Sequence, residues 1–416
     1  MSTSPLDTTE FRSKLSLLAT LGVTVGVNLQ RGQELIVTAP LEASTLVHHV
    51  TKVAYQRGAR LVTCLYEDPG MIHDRFAHAD DGTFDYAPEW FHRGIADAFE
   101  NGAARLYIVG PYPDLLSGVP ADKIVRAHRA LARASQAETR CTSASRINWS
   151  TLPFATGSWA AQVFPDLPSD DASQALWKVV FDVTRVNGPD PYQAWQEHNR
   201  TLNTRRDYLR NRGYTSLRFH DGRTDLTVGL ADDHTWVGGT VRAGNGIEGN
   251  CNIPTEELFT CPHRERVHGR VHFSKPLALA GTLVENLYVE FRDGLASTIK
   301  ADRGLETIQA LLASDDGARR LGEIGLVPHS SVVSRAGILF YNALFDENAA
   351  SHVAFGQSYA ACLGIAREPS QQPEATGANH SAIHIDCMFG TSAMNVDGIS
   401  ETGRVEPLMR EGEFVI

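Results

Sequence analysis

Three short apolar runs alternate with segments of helical period over the first 150 residues, and this order restricts the fold more than any other feature. Gln33 to Thr38, Arg60 to Leu65 and Ala104 to Gly110 read as strands. Leu41 to Arg57, Glu89 to Asn101 and Asp122 to Ala137 carry apolar residues at helical spacing. A strand-helix-strand-helix order cannot close as hairpins, so it predicts a mostly parallel sheet with covering helices. The stretches 54–70 and 98–114 both run from a helix through a Gly-Ala turn into an apolar strand, as two units of one sheet would.

From Trp149 to Ala175 both periods fade among prolines and indoles, and an irregular segment is expected. Leu176 to Val186 reads as a helix, Asn187-Gly-Pro-Asp190 breaks it, and Pro191 to Arg212 reads as a long charged helix. Beyond Thr215 the pattern changes to short strands. Ser216 to His220 and Thr224 to Val228 flank Asp221-Gly222 as a hairpin would. Further strands are expected at Thr235 to Arg242, Arg270 to Pro276, Leu283 to Arg292 and Leu295 to Lys300, with a helix at Glu306 to Leu312. A chain of 416 residues exceeds the roughly 250 to 300 at which one core stops growing. The expectation is therefore an α/β N-terminal domain with a mostly parallel sheet over 1–190, and an α+β C-terminal domain over 191–416 that carries the metal site.

The formal net charge of −11 argues against nucleic-acid or anionic-membrane partners. Six cysteines stand apart with no C-x-x-C spacing, which fits a reducing, cytoplasmic setting. The apolar run Leu15 to Val27 lacks the positive flank of a signal sequence and reads as a mature helix, and no stretch is long enough to span a bilayer.

In Ile383-His384-Ile385-Asp386-Cys387 the apolar residues alternate with an imidazole and a carboxylate, so one strand face presents His-x-Asp. With His352, these are nitrogen and oxygen ligands of the kind that Zn, Mn, Co or Fe(II) accept. An unpaired buried carboxylate is costly, so Asp386 needs a cation or hydrogen-bond donors beside it. Glu347 precedes His352 on a turn, Glu323 lies between glycines that permit close backbone approach, and Glu256 and Glu257 are adjacent, so that only one of the pair can enter a given site. Each of these acids, taken singly, also reads as a solvated surface group. Tyr359 follows within reach as a phenol that could donate to an oxyanion, although core packing is the commoner fate of a tyrosine. The G-x-G-x-x-G spelling at 244–249 opens no helix, His263 to His268 is not H-E-x-x-H, and 356–360 lacks the last glycine of a nucleophile elbow.

Taken together, NIPTEELFTCPHRERVHG (252–269), GEIGLVP (322–328), FYNALFDENAASHVAFGQSY (340–359) and HSAIHIDCMFG (380–390) resemble the family of aminopeptidase T, aminopeptidase S and the PepS-type peptidases. The resemblance extends to 21–37 and to Trp159–Pro165. It implies that Glu257, Glu323, Glu347, His352, His384 and Asp386 surround two divalent metal ions (Zn, Co, Mn or Mg), with Glu323 and Tyr359 catalytic, and it selects Glu257 over Glu256. Four carboxylates and two neutral imidazoles balance two divalent cations. Cys387, Cys251 and Cys261 depart from the family pattern around these ligands. The function implied is a metal-dependent aminopeptidase acting on peptides, assembled as a homodimer. The alternative is a mononuclear Fe(II) ring-cleaving dioxygenase using His352, His384 and Asp386, and a third reading is a binding protein that has lost turnover.

Overall fold

The structure is a computed structural model and describes residues 6, 8–279, 282–363 and 376–416. The chain divides into two compact units, 1–196 with 240–253, and 197–239 with 254–416. Residues 240–253 thus return to the first unit, a crossing that the expected single boundary does not contain. Backbone pairing explains it: the amide of Asn250 donates to the carbonyls of Val25 and Gly26, and that of Ile253 donates to Thr151. Asn28 Nδ2 donates to Glu248 O at 2.8 Å.

The first unit is built on four parallel strands, β1 (Glu34–Pro40), β2 (Leu61–Glu67), β3 (Ala104–Val109) and β4 (Trp149–Pro153), in the spatial order β2-β1-β3-β4. Val37 faces Cys64 on one side and Leu106 on the other. The central strand is the most apolar because it is covered on both faces: Leu35, Val37 and Ala39 are fully buried, and Ile36 nearly so. Helices Ser44–Gln56, Glu89–Glu100 and Ala121–Ala134 fall where helical spacing places them. The irregular reading of 149–175 is corrected, since β4, a helix at Gly157–Val163 and the start of another at Ser169–Val183 occupy it. Thr156 caps the first of these helices by accepting from the amide of Trp159 at 3.1 Å, and Pro168 precedes the second. The prolines punctuate elements that are themselves regular.

In the second unit, an eight-stranded antiparallel sheet runs from edge to edge through Leu295–Lys300, Tyr288–Arg292, Pro262–His272, Asp225–Leu230, Tyr214–His220, Asn395–Ser400, Val405–Arg410 and Glu413–Phe414. The Asp221-Gly222 hairpin forms, pairing His220 with Asp225. No long strand covers Thr235 to Arg242: only Val241–Arg242 pairs regularly, and Val237 makes a single bridge to Phe259. A second antiparallel sheet has the order His384–Met388, His352–Gly356, Leu321–Leu326, Leu258–Thr260.

The two sheets share one apolar core. Ile324, Val353, Phe355, Ile385 and Cys387 from the four-stranded sheet join Phe219, Val228, Val267, Val289 and Phe291 from the larger one. The rings of Phe291 and Phe355 stack with centroids 5.8 Å apart. Because strand side chains alternate, packing these apolar residues inward fixes Glu323, His352, Ala354, His384 and Asp386 on the opposite face. Among the described residues no helix is long and apolar enough to cross a membrane.

Candidate metal centre

The register of the four-stranded sheet brings the polar face together. Glu323 lies opposite Ala354, and Ala354 lies opposite Asp386, so two carboxylates flank one small residue in a single cross-strand row. One pair further along the central strand, His352 lies opposite Gly325, and Gly356 lies opposite His384 at the other end. A Cβ at Gly325 would stand 2.3 Å from His352 Cε1 and 2.4 Å from Nε2, so the imidazole occupies the space that any other side chain at 325 would take. Glu323 is therefore a central-strand residue and not a turn acid. Its neighbour Gly322 meets the expectation of close approach, because a Cβ there would stand 2.3 Å from the carbonyl oxygen of Gln357.

Glu257 enters from the segment just before Leu258–Thr260. Asn348 positions that segment: its Oδ1 accepts from the amide of Glu256 at 2.6 Å, and its Nδ2 donates to Leu344 O at 2.7 Å. The neighbouring Glu256 carboxylate turns instead toward His198, with Oε1 3.8 Å from Nε2. The adjacent acids thus diverge, as alternation requires. Asn348 was not singled out in the sequence; its only signal there is its place next to Glu347.

The ligand atoms of Glu257, Glu323 and His352 all lie within 4.8 Å of one another. His352 Nε2 is 3.2 Å from Glu257 Oε2 and 3.3 Å from Glu323 Oε1. His384 Nε2 is 3.3 Å from Asp386 Oδ1 and 3.7 Å from Glu323 Oε2. Glu323 thereby bridges the two imidazoles with its two oxygens. Glu347 sits on a short 3-10 turn (Glu347–Ala349) that ends beside the His352 strand. The charges of Glu257, Asp386 and Glu323 reach it. Tyr359 is 45% exposed, and its ring lies 4.6 Å from that of His384.

The tautomers follow from the second nitrogen of each ring. His352 Nδ1 is 3.2 Å from Ala350 O, and His384 Nδ1 is 2.8 Å from Gln357 O. A carbonyl only accepts, so both Nδ1 atoms carry the proton and both Nε2 atoms of the neutral rings present lone pairs to the carboxylates. Lone pairs facing lone pairs at 3.2 to 3.3 Å repel unless a cation stands among them. Glu257 Oε2, Glu323 Oε2 and Asp386 Oδ1 are also buried with no hydrogen-bond partner. Ligands about 2.1 Å from a common tetrahedral ion stand about 3.4 Å apart, so this donor set fits a divalent metal.

Without a cation, protons must substitute. Burial pulls His352 down, yet Glu257 and Glu323 overcome it and hold the imidazole well above its usual range. His384 is likewise lowered by burial, but the partnership with Asp386 raises it to about 9. Burial raises Glu323 to about 7, with His352 opposing and Glu257 adding to the rise. Burial and then the charge of Glu257 push Glu347 well above the carboxylate range. This crowding of like charges is the behaviour of a cation site.

The site's chemistry agrees with the chain's relatives. A family profile described as "Thermophilic metalloprotease (M29)" matches residues 11–414. Aminopeptidase T of Thermus thermophilus is 44% identical over 406 residues, covering 98% of this chain and 99% of that protein. Aminopeptidase 2 of Geobacillus stearothermophilus is 40% identical over 405 residues, covering 97% and 98%. The solved structure titled "Wild-type AmpT from Thermus thermophilus" superposes with a TM-score of 0.91 at 44% identity, covering 98% of this chain and all of that one. The ring-cleaving dioxygenase alternative finds no support among them. The chain belongs to this metalloprotease family and is a metal-dependent aminopeptidase.

Proposed function

We propose that Glu257, Glu323, Glu347, His352, His384 and Asp386 hold two divalent ions, of Zn, Co, Mn or Mg, and that Glu323 and Tyr359 act directly on the substrate. The observation that carries this reading is the set of three buried carboxylate oxygens without hydrogen-bond partners, facing two imidazole Nε2 atoms. Glu323 reaches both imidazoles and would help to hold the metal together with them. When bound, such ions supply Lewis acidity toward the scissile carbonyl and acidify a water.

The residues of the chain do the rest. Glu323, raised by burial to about 7 in the metal-free protein, takes the proton of the attacking water and passes it toward the leaving amine. Burial holds the Tyr359 phenol above its ordinary range, with the charge of Glu323 adding to the effect, so it stays protonated and donates to the developing oxyanion. A cavity of about 140 Å³ beside Glu347, His384 and Asp386, walled by Leu277, Leu279 and Met388, receives the N-terminal residue of the peptide. We further take the protein to be cytoplasmic and its working form to be a homodimer, and sedimentation of the purified protein tests the dimer.

Metal analysis together with turnover of amino-acid p-nitroanilides tests the centre itself. Two equivalents of metal per chain and metal-dependent turnover are expected. A single equivalent at full activity would overturn the dinuclear assignment.

A further inference from the structure

The cavity beside the metal centre accounts for the first residue of the peptide, and the strand Leu277–Leu279 points to how the residues after it are held. This strand and Thr282–Val284 form a two-stranded antiparallel sheet with no further neighbour among the described residues. Leu277, Ala278 and Leu279 all line the cavity of about 140 Å³ that also carries Glu347, His384 and Asp386, whereas no residue of Thr282–Val284 does. The partner strand therefore lies behind, and the free edge of Leu277–Leu279 faces the cavity.

The register fixes which backbone groups that edge offers. Leu277 pairs with Val284, Ala278 with Leu283 and Leu279 with Thr282. Only two residues separate Leu279 from Thr282, too few for bonds between their inner neighbours, so Leu279 and Thr282 bond each other directly. Antiparallel pairs alternate between bonded and non-bonded, which makes Ala278 and Leu283 the pair whose N–H and C=O groups point away from each other. The Ala278 amide and carbonyl thus lie on the cavity edge, and neither has a hydrogen-bond partner among the described residues.

An open strand edge is a template for pairing, and folded chains commonly blunt one with a charged side chain or a proline. Leu277, Ala278 and Leu279 carry neither, and Ala278 is exposed. An unprotected apolar edge beside a cluster of carboxylates and imidazoles matches strand addition, in which an extended peptide supplies the missing neighbour.

We propose that the substrate chain beyond its first residue adds as a strand to the edge of Leu277–Leu279 and exchanges main-chain hydrogen bonds with Ala278, a reading that rests on the assignment of this cavity to the N-terminal residue. Main-chain pairing reads no side chains, so the preferred substrate class is an extended peptide longer than a dipeptide, with little discrimination beyond its first residue. Ala278→Pro removes the outward N–H, and an edge strand tolerates proline where its N–H faces away from the ladder. The test is kcat/KM of the metal-loaded parent and variant on Leu-Gly-Gly and on leucinamide, which has nothing beyond its first residue to pair. The parent should favour Leu-Gly-Gly by about tenfold or more, and Ala278→Pro should lose about three- to tenfold on Leu-Gly-Gly alone, as loss of one hydrogen bond predicts. A parent that takes leucinamide as readily as Leu-Gly-Gly overturns the proposal whether or not the variant folds. So does a variant whose loss is equal on both substrates, or one that loses nothing on Leu-Gly-Gly. Sedimentation of Ala278→Pro as a monomer where the parent is a dimer would give the edge to a second copy of the chain and likewise overturn the proposal. Turnover of leucinamide that ignores added metal overturns the metal-centre reading instead, because that substrate does not reach Ala278.

Discussion

Replacing Gly325 with alanine tests the sheet's control of the metal centre, because it changes no ligand and no charge. The new methyl would stand 2.3 Å from His352 Cε1 and 2.4 Å from Nε2, whereas ordinary contact begins near 3.4 Å. The ring must therefore retreat by about 1 Å, or the Gly325 strand must shift by as much. Ligand distances tolerate only about 0.2 Å, and a misplacement near 1 Å costs about 100-fold in rate, or about 2.7 kcal/mol of transition-state stabilisation. Overpacking a rigid interior adds about 1 to 3 kcal/mol of destabilisation. The assay is kcat/KM on a leucine p-nitroanilide at saturating metal, with metal content and far-UV circular dichroism measured on the same preparation. A folded variant with parental metal content and kcat/KM within about twofold of the parent would refute the argument.

Further outcomes follow from the same geometry. Glu323→Gln keeps the shape but removes both the proton acceptor and a charged ligand, so kcat should fall by about 10² to 10⁴ even in preparations whose metal content matches the parent, as read by single-turnover kinetics. Tyr359→Phe should lower kcat by about 10² to 10³ with KM nearly unchanged, and an effect confined to KM would remove the phenol from the chemistry. In the metal-free protein, burial raises Glu323 from 4.5 to about 7, while the partnership with Asp386 outweighs burial and raises His384 from 6.5 to about 9. Both groups bind more protons folded than unfolded across those windows, so stability should fall as pH rises from about 5 to about 9. Added Zn or Co should restore it by a margin that grows with pH, measured as the difference in Tm between loaded and stripped protein. A margin that is flat or shrinks with pH would contradict the charge reading.

The sequence discloses the parts of the site whose signal is periodic. Ile383 to Cys387 alternates strictly, and the structure keeps that alternation, with Ile385 and Cys387 in the core and His384 and Asp386 beside Glu323. The parallel order of the first unit is legible for the same reason. What escapes is register. That Glu323 stands across Ala354 from Asp386, and Gly325 across from His352, depends on pairings between segments far apart in the chain, which no local pattern encodes. Residues 149–175 mislead because prolines and indoles at element ends resemble irregularity, although Thr156 and Pro168 start helices there. The return of 240–253 to the first unit rests on backbone hydrogen bonds, which leave no mark in side-chain composition.

Ala354 gives the centre its scale. With Glu323 and Asp386 two strands apart across it, the spacing of their α-carbons is set by two inter-strand repeats, about 9 to 10 Å, and by nothing softer. Loops elsewhere can lengthen, or the apolar wall beside Glu347 can change to admit another side chain, without altering that gauge. The side chains that meet the substrate can therefore change while the span available to the metal stays constant.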